Sequence, residues 1–540
     1  MPVRDLRAIS SDERLEADFC IVGSGPAGAT IALELARTKA KVLLVESGGL
    51  KRDAATDALN EIENVGWPRV MDQWLVRNRM LGGTSNTWAG RCAAFDDIDY
   101  EPRDWVPHSG WPFKADELTP YLSRSASRLG LVANIGHMSR GFWNPARQRA
   151  AKPGIDERLL SSCLWQFSRD ASNRNVSVNF AESLSSSEAD NLDVILNATV
   201  THVNTNQAGT AVESIDVRGP DGEARKISSR CIVLSAGGIE NARLLLASNS
   251  LHSCGLGNQR DLVGRFLMDH LKGTIGSFDP RKAQALRSWF GQYFIKGPIG
   301  NHRTLRGLRL SPEYQRAENL LNGAVFTEEY EFIAPDDPWI AMKRLVRGKP
   351  PALRDAVNVG SNLHLVGQGL FQYLVEKSSL PRKLEKLELR CIVEQRPDPA
   401  SRVTLSTRTD RFGVPLSRID WKVNEQEQRT IKAIATLLKT EFERLQIEPP
   451  LLEGWITENQ DLPEYFQDIA HPTGTTRMSA DPASGVVDAH CQVHGVNGLF
   501  IAGSLVFPTS GHANPTQMIV ALAIRLADTL KNRIVNSQAA

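Results

Sequence analysis

A chain of 540 residues exceeds what one compact core accommodates and predicts two or three domains, one of which can be assembled from separated segments. Hydrophobic residues at 41%, charged residues at 23%, and 63 basic against 62 acidic side chains are those of an ordinary soluble globular protein. A net charge of +1 gives no footprint for nucleic acid or an anionic membrane, and no window reaches the ~18 uninterrupted apolar residues of a spanning helix, so neither partner is expected.

The opening stretch "MPVRDLRAISSDERLEADF" is charged throughout, without the apolar run of a secretory signal or the adjacent arginines of twin-arginine export, and a cytoplasmic protein is expected. "DFCIVG", from Asp18, then reads as a buried strand, "PAGATIALELARTK" as a helix, and "KVLLVE", ending at Glu46, as a second strand: a βαβ unit with a right-handed crossover. Between strand and helix, "GSGPAG" spaces Gly23, Gly25 and Gly28 as G-x-G-x-x-G. The first glycine permits the tight turn, the second lets a pyrophosphate approach the backbone, and the third lets helix and strand pack closely. The helix N-terminus offers free N–H groups to phosphate. Glu46 follows Gly28 by about 18 residues at a strand end, where a carboxylate can accept both ribose hydroxyls. That context predicts an adenine dinucleotide, and the acid disfavours a 2′-phosphate; NAD and FAD both remain open.

"DVILNATVTHV", "TAVESIDVRG" and "ARKISSRCIVLSAGG" read as strands, the last leading into a helix at "IENARLLLASN", so residues 190–250 form a second stretch of the nucleotide-binding domain containing a hairpin or meander. From about 275 to 465 the texture changes. Helical periodicity in "WIAMKRLVRG" and "LVGQGLFQYLVEK", strand-like "RVTLS", and breaks at "KPPA" and "RPDP" mark a second domain. The chain returns with strand-like "NGLFIAGSLVFP" and a helix of about 18 residues at "NPTQMIVALAIRLADTLKNRI". The seven cysteines, Cys20, Cys92, Cys163, Cys231, Cys254, Cys391 and Cys491, lack metal-ligand spacing and are expected as reduced core residues, with no metal.

Beyond these periodicities, "MLGGTSNTWAGRC" from Met80, "LVGRFLMDHL" from Leu262, "RPDPASRVTLS" from Arg396, and the block from His471 through "HPTGTTRM" to "FIAGSLVFPTSGHANPTQMIVALAIRLAD" resemble the glucose-methanol-choline (GMC) oxidoreductases over nearly the whole chain. The C-terminal block is the specific part. The resemblance implies FAD and an α/β fold. A Rossmann-like FAD-binding domain with a parallel sheet would comprise residues 1–275 and 466–540, with insertions near 100–185. An α+β substrate domain, an antiparallel sheet backed by helices, would comprise residues 276–465.

It also implies a catalytic pair, a His in "HPxGT" and a His or Asn some forty residues later, here His471 and Asn514. Hydride transfer from an alcohol to flavin N5 requires the hydroxyl proton to leave as the C–H bond breaks. A neutral imidazole can take it near pH 7, and a carboxamide N–H can hold the same oxygen. Each has a plainer reading. Asn514 before Pro515 fits a helix cap, and Pro515 with Thr516 would then begin a helix whose N-terminus faces the flavin; His471 before Pro472 fits a turn; His512 could replace Asn514 as partner. His490 and His494 are expected on a surface turn.

The resemblance runs the loop Gly82–Gly90 along the isoalloxazine, with Gly82, Gly83, Thr84, Ser85, Asn86 and Thr87 as contacts. Thr87 stands where some members attach FAD through a histidine, so noncovalent FAD is expected. Val200 beside adenine, Ala236 and Gly237 along the dinucleotide, and Gly503 with Ser504 near pyrophosphate or ribityl complete the set, although many members carry an acid where this chain has Gly503. The Trp-rich "RDWVPHSGWPF" fits packing better than a lid. The implied activity is oxidation of a CH–OH group, of a sugar, glycoside or polyol in preference to a simple alcohol. A flavin-retaining lyase, an NAD-dependent dehydrogenase and a flavin-binding scaffold are the alternatives. The electron acceptor is open among oxygen, a quinone and a protein.

Overall fold

The computed structural model describes residues 3–69, 72–132, 154–173, 176–280, 282, 286, 290–297, 300–331, 338–346, 353–371 and 384–539. At its centre lies a six-stranded, all-parallel sheet in the order Val3–Asp5, Leu192–Leu196, Val42–Val45, Phe19–Val22, Ile232–Leu234, Leu499–Ile501. Strands of three to five residues suffice here because both faces are covered, and the inner ones are apolar without alternation. The helix Pro26–Leu35 packs on this sheet and against the C-terminal helix Thr516–Ala539, which runs 24 residues rather than the 18 that its periodicity indicates.

Two runs that read as single strands are each two. "DVILNATVTHV" turns at Asn197, whose φ of 56° lies in the left-handed region that asparagine tolerates. Leu192–Leu196 stays in the parallel sheet, while Thr199–Thr205 joins a separate meander. "ARKISSRCIVLS" likewise divides into Ala224–Ser229 of the meander and Ile232–Leu234 of the parallel sheet. The meander, in the order Leu15–Ala17, Ala224–Ser229, Val212–Arg218, Thr199–Thr205, lies within the stretch read as a hairpin or meander, apart from its parallel edge strand Leu15–Ala17.

A second large sheet is antiparallel, in the order Leu451–Leu452, Leu271–Phe278, Leu384–Val393, Gly323–Glu331, Gly300–Leu310, Leu160–Phe167, Arg91–Cys92. The strand Leu271–Phe278 straddles the expected boundary at 275, and Arg91–Cys92 joins from ahead of the expected insertion near 100–185. The helix Glu425–Arg444 backs this sheet through Ile431, Ile434, Leu438 and Phe442, and its entry is fixed by a capping box between Asn424 and Glu427. "RVTLS" falls in the strand Arg402–Thr409 of a small three-stranded sheet, and the two helical readings fall on Pro338–Val346 and Leu363–Phe371. "KPPA" and the end of "LVGQGLFQYLVEK" lie outside the described residues. Cys254, read as a core residue, is exposed in a turn, whereas Cys20, Cys92, Cys163, Cys391 and Cys491 are buried. Among the described residues no helix is long and apolar enough to cross a membrane.

Candidate active site

The turn after Phe19–Val22 needs three glycines for three separate reasons. Gly23 has φ +96°, and a Cβ there would lie 2.7 Å from the Ser235 carbonyl oxygen. Gly28 abuts the turn itself, where a Cβ would come within 1.9 Å of the Gly23 oxygen. Gly25 has no atom within 4 Å of its Cβ position, because a cavity reaches its backbone. This cavity of about 660 Å³ is dinucleotide-sized and continuous from the glycine turn to His471 and Asn514.

Its walls hold most of the residues singled out above. Glu46 is buried at the end of Val42–Val45, accepting from the Ser24 N–H (2.9 Å) and hydroxyl (2.5 Å) at one oxygen and from the Gly48 N–H (3.0 Å) at the other. These three bonds leave one of the carboxylate's four acceptor sites, on Oε1, for a hydroxyl from the cavity. Burial raises the Glu46 carboxyl pKa above its ordinary value, against those hydrogen bonds. Val200, Ala236, Gly237, Gly503, Ser504, Pro515 and Thr516 also line the cavity; Gly237 has open space at its Cβ position, and Ser504 donates to the Pro472 carbonyl at 2.7 Å.

The loop divides by role. Gly83, Thr84, Ser85 and Thr87 line the cavity. Gly82 and Asn86 do not: a Cβ at Gly82 would meet the Ala181 nitrogen at 2.6 Å, and Asn86 braces the turn by donating to the Leu81 and Gly83 carbonyls at 2.9 and 2.8 Å. Asn78, which the sequence reading omitted, donates to the Thr87 hydroxyl at 2.5 Å. Also omitted was a charged group on the cavity wall in which Glu240 pairs with Arg77, Arg79 and Arg243, and Arg243 with Asp410. Burial pushes the Glu240 carboxyl up, but the three guanidinium groups hold it, on balance, well below its usual range.

At the far end the structure brings His471 and Asn514 together, Asn514 Nδ2 lying 3.4 Å from His471 Nε2. Asn514 Oδ1 is buried without a partner among the described residues. A capping side chain accepts through that oxygen, so this one is not a cap. An orphaned buried acceptor is costly and is relieved by a ligand donor. His512 points elsewhere, to Asn322 Oδ1 at 3.2 Å, with Asp96 at 3.7 Å and Trp165 behind it. His490 is exposed, and His494 donates to the Ser479 carbonyl. In the Trp-rich loop, Trp105 donates to the Leu320 carbonyl and Trp111 to the Thr509 hydroxyl, while Arg103 pairs with Glu394 in the interior; it is packing, not a lid.

Behind His471 stands a residue that the reading missed. His270 Nδ1 lies 3.0 Å from His471 Nδ1, and His270 Nε2 lies 2.9 Å from the Gly511 carbonyl oxygen. A carbonyl only accepts, so His270 carries its proton on Nε2. Burial drives the His270 pKa down to about 4, so the ring is neutral and its Nδ1 is an acceptor. His471 must then hold its proton on Nδ1, leaving Nε2 on the cavity side as an acceptor, approached at 3.4 Å by the Asn514 Nδ2–H. Burial, with His270 and Arg91 nearby, lowers the His471 pKa well below the ordinary histidine value. Asp269 positions both backbones, its Oδ1 accepting from the N–H of His471 (2.9 Å) and of His270 (2.8 Å) while Oδ2 accepts from Arg69 (2.8 Å). An Asp-His dipeptide inside the apolar "RFLMDHL" was the available signal.

The glycine turn, the strand-end acid, the two helix N-termini and the orphaned Asn514 oxygen together fit a flavin dinucleotide. Residues 18–295 match the family model described as FAD dependent oxidoreductase, and residues 397–523 match that of GMC oxidoreductase. The chain is 25% identical to 2-methyl-1,2-propanediol dehydrogenase of Mycolicibacterium austroafricanum, over 96% of each chain. It is 25% identical to 6′′′-hydroxyparomomycin C oxidase of Streptomyces lividus (97% of this chain, 93% of the other) and 23% identical to the fructose dehydrogenase large subunit of Gluconobacter japonicus (97% and 99%). In fold it is similar to pyridoxine 4-oxidase from Mesorbium loti, with a TM-score of 0.60 and 17% identity over 95% of this chain and 99% of the other.

Proposed function

Since this chain belongs to the FAD-dependent oxidoreductases and is of the GMC type, we propose that it oxidises a CH–OH group of a sugar, glycoside or polyol, with His471 as the base. Glu46, Gly25, Thr84, Ser504 and Thr516 on the cavity wall would hold FAD, which would supply the hydride acceptor at N5. His471 Nε2 takes the hydroxyl proton, and the Asn514 Nδ2–H holds the oxygen it leaves. His270 keeps His471 in the tautomer that can accept. Thr87 offers a hydroxyl already engaged by Asn78 and no ring nitrogen, which supports noncovalent FAD. The substrate class draws on the polyol, aminoglycoside and sugar named for three relatives that match this chain along nearly its whole length.

The observation that carries this reading is the 3.4 Å approach of Asn514 to His471 at one end of a cavity whose other end is the glycine turn. An anaerobic screen of sugars, glycosides, polyols and simple alcohols tests it: the polyhydroxylated compounds should bleach the oxidised flavin fastest. A flavin that no alcohol reduces would overturn it.

A further inference from the structure

The substrate end of the cavity is lined by Trp88, Arg91, Lys272, Glu328 and Ile392 beside His471. Its cations and anions do not balance. Glu328 faces Arg390 at 3.0 Å and Lys272 at 3.6 Å, so its single negative charge is already shared. Arg91 forms no ion pair and donates no hydrogen bond among the described residues. Its guanidinium carbon instead lies 4.8 Å from the ring centroid of Phe326, 5.8 Å from Trp165 and 6.0 Å from Phe167. Arg91 is half-buried, and none of its nitrogens is among the sealed, unpartnered atoms, so they are reachable from the cavity.

Aromatic rings satisfy the face of a guanidinium and leave its edge of N–H donors unsatisfied. A ligand that displaces water from that edge must replace the hydration of the charge, which cation–π contacts to the face do not do. Burial drives the Arg91 pKa down to about 10, with Arg303 nearby adding to the shift and the Glu328 carboxylate only partly opposing it. A neutral polyol can offer hydroxyl acceptors to this edge but no charge. A carboxylate offers both, with two oxygens at the spacing of the fork.

We propose that the substrate is a polyhydroxylated acid, an aldonate or uronate, whose carboxylate is clamped by Arg91 while His471 and Asn514 engage the hydroxyl that is oxidised. The proposal rests on the reading of the site as a CH–OH oxidase or dehydrogenase. The carboxylate is a handle and is unchanged: the C–H bond releases a hydride to oxidised FAD, the O–H bond releases a proton to His471 Nε2, and a carbonyl forms. Arg91 and the His471–Asn514 pair then fix the substrate at two points, so that one carbon is presented.

The test is anaerobic reduction of the holoenzyme by matched pairs, glucuronate against glucose and gluconate against glucitol, in wild type and in Arg91→Met and Arg91→Lys. In the wild type at least one acid should reduce the flavin with an efficiency tenfold or more above its neutral partner. Arg91→Met should lower that acid-to-neutral ratio at least tenfold, mainly through weaker saturation, and Arg91→Lys should recover part of it. Flavin absorbance of the variants reports their folding, and the wild-type pairs need no variant. Neutral members that match or exceed the acids, or a ratio unmoved in a flavin-loaded Arg91→Met, would overturn the carboxylate clamp and leave the CH–OH reading standing. Reduction by neither acids, sugars nor other alcohols would remove both.

Discussion

His270 and His471 meet Nδ1 to Nδ1 at 3.0 Å, and the Gly511 carbonyl at the far side of His270 determines which ring donates. The proton order runs from a backbone oxygen through a buried ring to the proposed base, so Nε2 of His471 faces the cavity as an acceptor before any substrate arrives. A base that needs no tautomer exchange has lost one contribution to its barrier.

On the proposed mechanism His270 is a positioning residue, and its replacement separates orientation from packing. His270→Leu removes the acceptor for His471 Nδ1–H and should slow substrate-driven flavin reduction by about ten- to a hundredfold, with little change in substrate saturation. His270→Gln can accept from His471 and donate to the Gly511 carbonyl, and should recover much of that loss. Anaerobic stopped-flow traces of the two variants provide the comparison; equal rates in both would show that His270 only fills space.

His471→Ala should keep its flavin while reduction falls by about a hundredfold or more, the scale of a lost positioned base. The flavin spectrum before mixing and the reduction rate after it separate the two effects. An unchanged rate would take His471 out of the chemistry.

The pH dependence has a definite sign. As the proposed base, His471 would react in its neutral form, and burial places its pKa well below the ordinary value. Protonation, and with it loss of rate, is thus displaced to acid: the reduction rate should be level from about pH 6.5 upward and fall only below that, where an unperturbed histidine would already be half charged. A rate–pH profile with a limb centred at or above 6.5 would contradict the burial that sets this sign.

How much of this was legible follows from where the determinants lie. The glycine turn and Glu46 are local in sequence, each fixed by one strand end, and they read directly. The corners at Asn197 and between Ser229 and Ile232 did not, because apolar alternation continues through them and only a backbone φ or a change of sheet marks the break. Asn514 and His512 were rivals on paper since two residues carry no orientation; the fold turns one toward His471 and buries the other against Asn322. His270 was illegible for a different reason: its partner lies 201 residues away, and its role comes from that contact alone. Arg91 passed as the residue after a loop until three rings from two strands surrounded it.

Acid precipitation should release FAD into the supernatant. In the loop beside the cavity the position that could tether the flavin is Thr87, whose hydroxyl is held by Asn78. Absorbance of supernatant and pellet measures the partition, and flavin that sediments with protein would establish a covalent bond elsewhere.

Gly28→Ala isolates the packing role of the third glycine from phosphate contact. The added Cβ would sit 1.9 Å from the Gly23 oxygen and 2.5 Å from Ser235 Oγ. The hydroxyl can rotate away, but the Gly23 carbonyl belongs to the turn, so relief requires the helix Pro26–Leu35 to lift from the strand Phe19–Val22. Overpacking of this kind costs about 1–3 kcal/mol, and here it also displaces the N–H groups that face the cavity. The expected result is a lower thermal midpoint together with weaker FAD retention, followed by flavin fluorescence on heating. Gly25→Ala makes the contrast, since its Cβ position is open: it should weaken FAD binding while leaving the midpoint of the FAD-free protein unchanged. If Gly28→Ala instead matched Gly25→Ala in losing only the cofactor, close approach of helix and strand would not be what Gly28 provides.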